Sequence, residues 1–281
     1  MSKFLSAAAS EEFDTEVKHA YQGYGGISAS VTTRDGVVGD TYNFRKMGKG
    51  LANKKSTSED VTPMNISHSK PQAVLENWNA PEYTDIFDDA EVNFDEVREL
   101  AETISGAIGR REDQLIIDAL DGAGAYAGTV ATSIGGADSN LNLAKLRRAK
   151  RLLDDKGVPN SDRHILISAL NLEALLGVTE AVSADYNTVK ALVQGEIDTF
   201  MGFKFHCIEA RDEDGLAIDG SDVRDGYAYH SKAVGLARGI NFRTEVNYVP
   251  TKTSWLANGI LKAGAVARDT DGIVKVQMDE T

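Results

Sequence analysis

Residues 45–55 read RKMGKGLANKK, five basic side chains in eleven positions, within a chain whose formal net charge is -13. No Asp or Glu stands between Asp40 and Glu59. Phosphate binding is one chemistry for such a stretch, and the spacing excludes it. In GKGLANKKS, Lys54 occupies the place of the glycine that a phosphate loop needs before its Lys-Ser pair. GAGAYAG at 122–128 is not GxGxxG, and it follows a helical pattern where a dinucleotide site needs a strand. RDEDGLAIDGSD at 211–222 lacks the spacing and terminal Glu of a calcium loop, so it reads as a solvated turn. His19, His68, His164, His206 and His230 are scattered. The adjacent pair His206-Cys207 is a poor metal clamp, because neighbouring strand residues point to opposite faces. Cys207 lies in an apolar run and reads as a buried, inert thiol. Neither GxSxG nor HExxH occurs. The expectation is a protein with no catalytic, cofactor or metal site.

Composition narrows the remaining choices. Hydrophobic residues make up 42% of the chain and charged residues 26%, a globular balance that excludes disorder throughout. The longest apolar runs are too short to cross a bilayer, and the first residues lack the apolar stretch of a signal peptide. One cysteine leaves no internal disulfide framework and fits a reducing compartment. The acidic balance argues against wrapping nucleic acid tightly, yet it suits a container that must not stick to its contents. The basic segment therefore reads as a contact with acidic protein surface, with a flexible solvated loop as the alternative.

The elements that would position it follow from periodicity. A short helix is expected over 11–21, then a glycine-rich break at 23–26 and a strand in ISASVTTR. From Gly36 to about Asp89 the chain is strand-rich and punctuated by Pro63, Pro71 and Pro81, which suits an edge ribbon better than a central strand. Asn93 is a good N-cap for a long helix whose stripe includes Leu100, Ile104, Ile108 and Ile116 and breaks at Asp121-Gly122. Residues 121–140 form a small-residue loop. A second helix, Leu141 to Lys156, stops at Gly157, and its Lys145, Arg147, Arg148, Lys150 and Arg151 read as a solvated face. RHILIS is a buried strand, NLEALLG a short helix, and strands run from the acidic loop at 211–226 to the end.

In order, these pieces resemble the major capsid proteins of tailed bacteriophages, the Hong Kong phage-type capsid fold. GEIDTFMGFKFHCIEA (195–210) is similar to that family's strand-turn-strand G-x-I-x-x-x-x-G-F-x-(I/V). VPNSDRHILISALNLEALLG (158–177) resembles its strand followed by a short helix, and AYHSKAVGLARG (228–239) its hxxAVxxA strand. SWLANGILKAGAVARDTDGIVKV (254–276) fits the closing strands. The resemblance implies an α+β fold with an N-terminal arm over 1–36, an extended β-ribbon loop over 37–85, and a peripheral domain with a spine helix over 86–129. An axial domain over 130–235 and a return to the peripheral domain over 236–281 complete it.

The function implied is structural: a non-enzymatic shell protein of the virion, assembled in the host cytoplasm from pentamers and hexamers into an icosahedral shell around double-stranded DNA. DNA would be enclosed without sequence-specific binding, with no cofactor and no membrane. In that setting Arg45, Lys46, Lys49, Lys54 and Lys55 reach acidic surface on a neighbouring copy. No Lys, Asn and Glu triplet for a covalent cross-link aligns, so the shell is expected to be non-covalent. No long scaffolding extension precedes the arm, which points to a separate scaffolding protein, beside a portal and a decoration protein as other partners. The alternatives are an encapsulin-type cellular shell of the same fold, built around a cargo-docking groove, and an enzyme of small substrates.

Overall fold

A computed structural model describes residues 23–86, 96–177 and 199–281. The helix expected over 11–21, the Asn93 cap and the start of the 195–210 motif lie outside the described residues. Ile27–Ser30 form a 3-10 turn, where a strand was expected, and the strand β1 is confined to Thr32–Arg34. Next come β2 (Thr41–Asn43), β3 (Lys46–Met47), β4 (His68–Ser69), β5 (Gln72–Val74) and β6 (Glu76–Asp85). Helix α1 is Glu96–Asp121, and β7 (Gly128–Val130) interrupts the small-residue stretch expected to be loop. Then follow α2 (Leu143–Asp155), β8 (Arg163–Ser168), α3 (Ala169–Leu176), β9 (Thr199–Phe200) and β10 (Phe203–Ile208). The chain ends with β11 (Val223–His230), β12 (Val234–Val249), β13 (Ser254–Ala267) and β14 (Ile273–Asp279).

Two sheets share one core. The first has the order β1-β12-β13-β6, the second β7-β14-β11-β8-β10-β9. Helix α1 has 26 residues and so runs about 39 Å at 1.5 Å per residue. Its buried Ile104, Ile108, Ile116, Ile117 and Leu120 recur at helical spacing and form one apolar stripe. The stripe packs with Leu236, Leu261 and Ala263 of the first sheet and Leu166, Tyr227 and Tyr229 of the second. Each large side chain buried there contributes roughly 1.5–3 kcal/mol. Gly259 permits the close approach, since a Cβ there would overlap Ile104.

The second sheet is covered on its other face by α2, whose Leu146, Ala149 and Leu153 meet Ile165, Ile167 and Phe203. Strand β8 is buried at all six positions because it pairs parallel with β10 and antiparallel with β11. Its central Ile165, Leu166 and Ile167 run without alternation, the pattern of a strand covered on both faces. Asn142 caps α2 by accepting from the Lys145 amide, and Gly157 ends the turn beyond it at φ 75°. The basic residues of α2 are not one solvated face. Lys145 is fully buried, and its ammonium donates to the carbonyls of Ser139 and Gln277.

Chain order does not map simply onto the sheets. β6, inside the stretch expected to be ribbon, pairs along its whole length with β13. β14, expected in the peripheral part, pairs antiparallel with β11 and parallel with β7 in the second sheet. Each strand joins the sheet that offers it an unsatisfied edge, which chain order alone does not specify.

Candidate assembly interface

The ribbon is two short ladders. β2 pairs with β5 and β3 with β4, and the amide of Gly48 donates to the Ser67 carbonyl at 2.8 Å. Its root is anchored: Phe44, Ala73 and Leu75 are buried against Ala237, with Val37, Tyr42 and Val266 packed around them. They sit on the face of the first sheet opposite α1. Two glycines make the seat possible, because a Cβ on Gly264 would overlap the Val74 carbonyl and one on Gly235 would meet the Phe44 ring. The Arg268 guanidinium lies 5.0 Å from the centroid of that ring, a cation–π contact. Beyond the root, residues 51–65 are exposed throughout, with Leu51 at 78% and Val61 at 76%.

The five basic residues divide into two sets. Lys46 Nζ lies 2.7 Å from Asp269 Oδ1. Lys49 donates to the Lys156 carbonyl at 3.1 Å and stands 3.9 Å from Asp271, which Lys156 also holds at 2.9 Å. These ammonium groups, Lys156 foremost, hold the Asp271 carboxyl below its usual pKa. Lys46 and Lys49 therefore tie the stem of the ribbon to the 269–272 turn of their own chain. Arg45, Lys54 and Lys55 are exposed, with no ion pair inside the chain among the described residues.

The first described residues, 23–27, are also fixed against the body. Buried Asp113, on α1, accepts from the amides of Gly26 (3.0 Å) and Ile27 (2.9 Å), and Arg211 stands 3.9 Å away. Burial raises the pKa of Asp113, and those donors and the guanidinium oppose the rise. Gly109 lets the chain cross the helix, because a Cβ there would overlap the Tyr24 carbonyl. The 211–226 stretch is pinned rather than wholly solvated: Gln114 exchanges two hydrogen bonds with Gly215, and Leu216 is buried. Its tip is an ordinary capped turn, with Asp219 accepting from the amides of Ser221 and Val223.

Two expectations about reactive side chains change. Cys207 is exposed, because β9 flanks β10 only at Phe203 and Lys204 and leaves the end of β10 uncovered among the described residues. Partial desolvation and the Glu209 carboxylate raise its thiol pKa, so little thiolate forms at neutral pH. His164 and His206 are not isolated either. Their strands are parallel neighbours, and His164 Nδ1 lies 2.9 Å from His206 Nε2 with the rings stacked. The two are far apart in sequence, and only the pairing of RHILIS with FKFHCI could have revealed them. His230 caps a 3-10 turn by accepting from the Lys232 amide, and His68 is exposed on the ribbon. Among the described residues no cluster of three or more His, Cys, Asp or Glu could hold a metal ion, and no helix is long and apolar enough to cross a membrane.

The sequence matches the phage capsid protein family over residues 5–280. The chain belongs to that family. This capsid protein shares its fold with the capsid of cyanophage P-SCSP1u, at a TM-score of 0.75 and 14% identity over 100% of this chain and 96% of that one. The capsid of Helicobacter pylori bacteriophage KHP30 gives a TM-score of 0.75 at 11% identity, covering 96% and 95%. The capsid of a native GTA particle gives 0.66 at 13% identity, covering 99% of both chains. A comparison with curated protein sequences gives no match. The capsid protein is thus a structural subunit of a virion shell built from repeated copies, and the family match favours this over an encapsulin.

Proposed function

We propose that this capsid protein assembles into pentamers and hexamers that close as an icosahedral shell around double-stranded DNA, held without sequence-specific contacts. The observation that carries the reading is the basic run at 45–55, free of acidic residues and projecting from an acidic body of capsid fold. Identical subunits joined head to tail close into rings, and a projecting ribbon adds contact area that a compact body lacks. In this reading residues 1–36 are the arm, 37–85 the extended loop, 86–129 and most of 236–281 the peripheral part, and 130–235 the axial part. Lys46 and Lys49 set the angle of the ribbon from within their own chain. Arg45, Lys54 and Lys55 carry its outward charge to acidic surface on the next copy. The contacts are non-covalent, the chain is not an enzyme, and assembly takes place in the host cytoplasm with a separate scaffolding protein, a portal and a decoration protein.

Negative-stain microscopy tests the reading, with helper proteins coexpressed. Shells or ring-shaped capsomers are expected from the wild type, and far fewer of them when Arg45, Lys54 and Lys55 are changed to Ser with Lys46 and Lys49 kept. Shells in equal number from both proteins would refute the role of the ribbon charge. A small closed oligomer from the wild type, even with its helpers, would refute the shell.

A further inference from the structure

The first sheet has two unlike edges. On one, β6 carries Pro81, which has no amide hydrogen, together with Glu76, Asn77, Asn79 and Glu82; such an edge resists pairing. On the other, β1 pairs with β12 only from Gly235 to Ala237, and the Val37 amide reaches the Arg238 carbonyl at 3.0 Å. From there to Val249, no strand among the described residues pairs with the outer side of β12. That open stretch reads INFRTEVNY, residues 240–248, and its chemistry is two-fold about Thr244. Arg243 mirrors Glu245, Phe242 mirrors Val246, and Asn241 mirrors Asn247. Phe242, Val246 and Tyr248 are 39%, 42% and 43% exposed. Arg243 and Glu245 pair with each other at 3.0 Å in solvent, and neither has another ion pair among the described residues.

We propose that this edge of β12 is an interface with the same strand of a second copy, paired antiparallel about a two-fold axis through Thr244. The inference rests on the shell reading, which supplies the second copy. Thr244 and Val246 lie opposite Gly259 and Ala257 of β13, and the Phe242 ring also reaches Gly259, so these three share the α1 face. Arg243 and Glu245 project from the other face. Pairing about Thr244 sets Phe242 against the partner's Val246 on one face and Arg243 against the partner's Glu245 on the other. Each contact occurs twice by symmetry. Opposite charges and apolar pairs placed directly across two strands are both favourable. The neighbouring registers that keep the faces matched set Arg243 against the partner's Arg243, or Glu245 against the partner's Glu245, so charge fixes the register. The β-bulge between Ile240 and Arg243 ends the regular ladder at one side. An open strand edge that exposes Phe242, Val246 and Tyr248 is an aggregation hazard in a lone subunit, and a matched copy removes it.

The test is a cross-link in the assembled protein. Thr244→Cys in a Cys207→Ser background places two thiols directly across the axis, with Cβ atoms about 4.5–5.5 Å apart, close to the reach of a disulfide. Oxidised particles are expected to give a dimer band on a non-reducing gel. Arg243→Cys and Glu245→Cys, in the same background, should give a band when coassembled and none when alone. In solution, Arg243→Glu and Glu245→Arg should each weaken association roughly tenfold by turning two attractive pairs repulsive, and the double exchange should restore it. Particles of Thr244→Cys without a dimer band would overturn the edge contact and leave the shell standing. No particles at all would overturn the shell, and the band from soluble protein would then decide the edge by itself. A band from Arg243→Cys alone would overturn the register.

Discussion

Two buried basic side chains show how burial sets the pH range of this subunit. His164 lies in the core, where burial foremost, then His206 and Lys204, press its pKa down to about 4. The same burial lowers His206 and His230. A depressed histidine binds its proton less readily in the folded chain than in the unfolded one, so its contribution is intact above pH 6.5 and is lost as pH falls toward 4. A shift of that size corresponds to roughly 3 kcal/mol. Thermal melts across pH 4–7 should therefore show a fall that His164→Phe flattens; an unchanged slope in the variant would refute the assignment. Lys145 is the second case. Its pKa is lowered to about 8 by burial, against the pull of Asp279. Its folded pKa lies below its unfolded one, so the linked cost of keeping it charged is present in full below pH 8 and fades as pH rises toward 10.5. The two backbone carbonyls it satisfies set the other side of the balance. Lys145→Met should lose about 1–3 kcal/mol at neutral pH because those acceptors are left unmet, and chemical denaturation measures it. Neither residue was legible in the sequence. Lys145 sits among four other basic residues on the same helix, and nothing local distinguishes the one that turns inward to β14.

At the scale of elements, most readings that rested on local rules survive, the strand expected over Ile27–Ser30 excepted, while features that depended on distant partners were missed. RHILIS is a buried strand and Gly157 stops α2, because apolar continuity and backbone freedom are properties of the residues themselves. Pro63 and Pro71 lie in the ribbon region and Pro81 on an edge strand, as proline requires. β7 escaped notice because its residues, GTV, become a strand only when β14 arrives from the end of the chain. The exposure of Cys207 escaped for the same reason, since it depends on how far β9 extends along β10. The seat of the ribbon was equally hidden: glycine in a strand reads as weakness until a second backbone is found pressed against it. That contact yields a prediction for the element as a whole. Gly264→Ala forces its Cβ into the Val74 carbonyl, so β5 must lift or the sheet must bend. We expect a loss of about 1–3 kcal/mol, the usual cost of overpacking, with limited proteolysis within the exposed 51–65 loop accelerated. Gly36→Ala, whose added Cβ has open space but whose φ of 70° is strained, should lower stability without that change in cleavage. Equal cleavage in both variants would mean that the root does not hold the ribbon.

At the scale of the molecule, charge acts in two opposite senses, and salt separates them. Whole subunits carry -13 each and repel one another over distances comparable to the screening length, about 10 Å at 0.1 M ionic strength. The proposed ribbon contact would work at shorter range, through Arg45, Lys54 and Lys55 against acidic surface, so it should outlast the long-range repulsion as salt rises. At about 1 M the screening length is near 3 Å, and the short contacts weaken as well. Assembly of the wild type should thus rise with salt, pass through a maximum and fall. The chain with Arg45, Lys54 and Lys55 changed to Ser lacks the short-range term, so screening only relieves repulsion and its smaller yield should climb without turning over. Lys46 and Lys49 are kept in that variant, because their partners Asp269 and Asp271 belong to the same chain and their loss would disturb the ribbon stem as well as the contact. Sedimentation of particles across a salt series reads both curves. A wild-type yield that climbs steadily to the highest salt would show that apolar burial, and not the ribbon charge, joins the copies; the basic run at 45–55 would then serve only its own subunit.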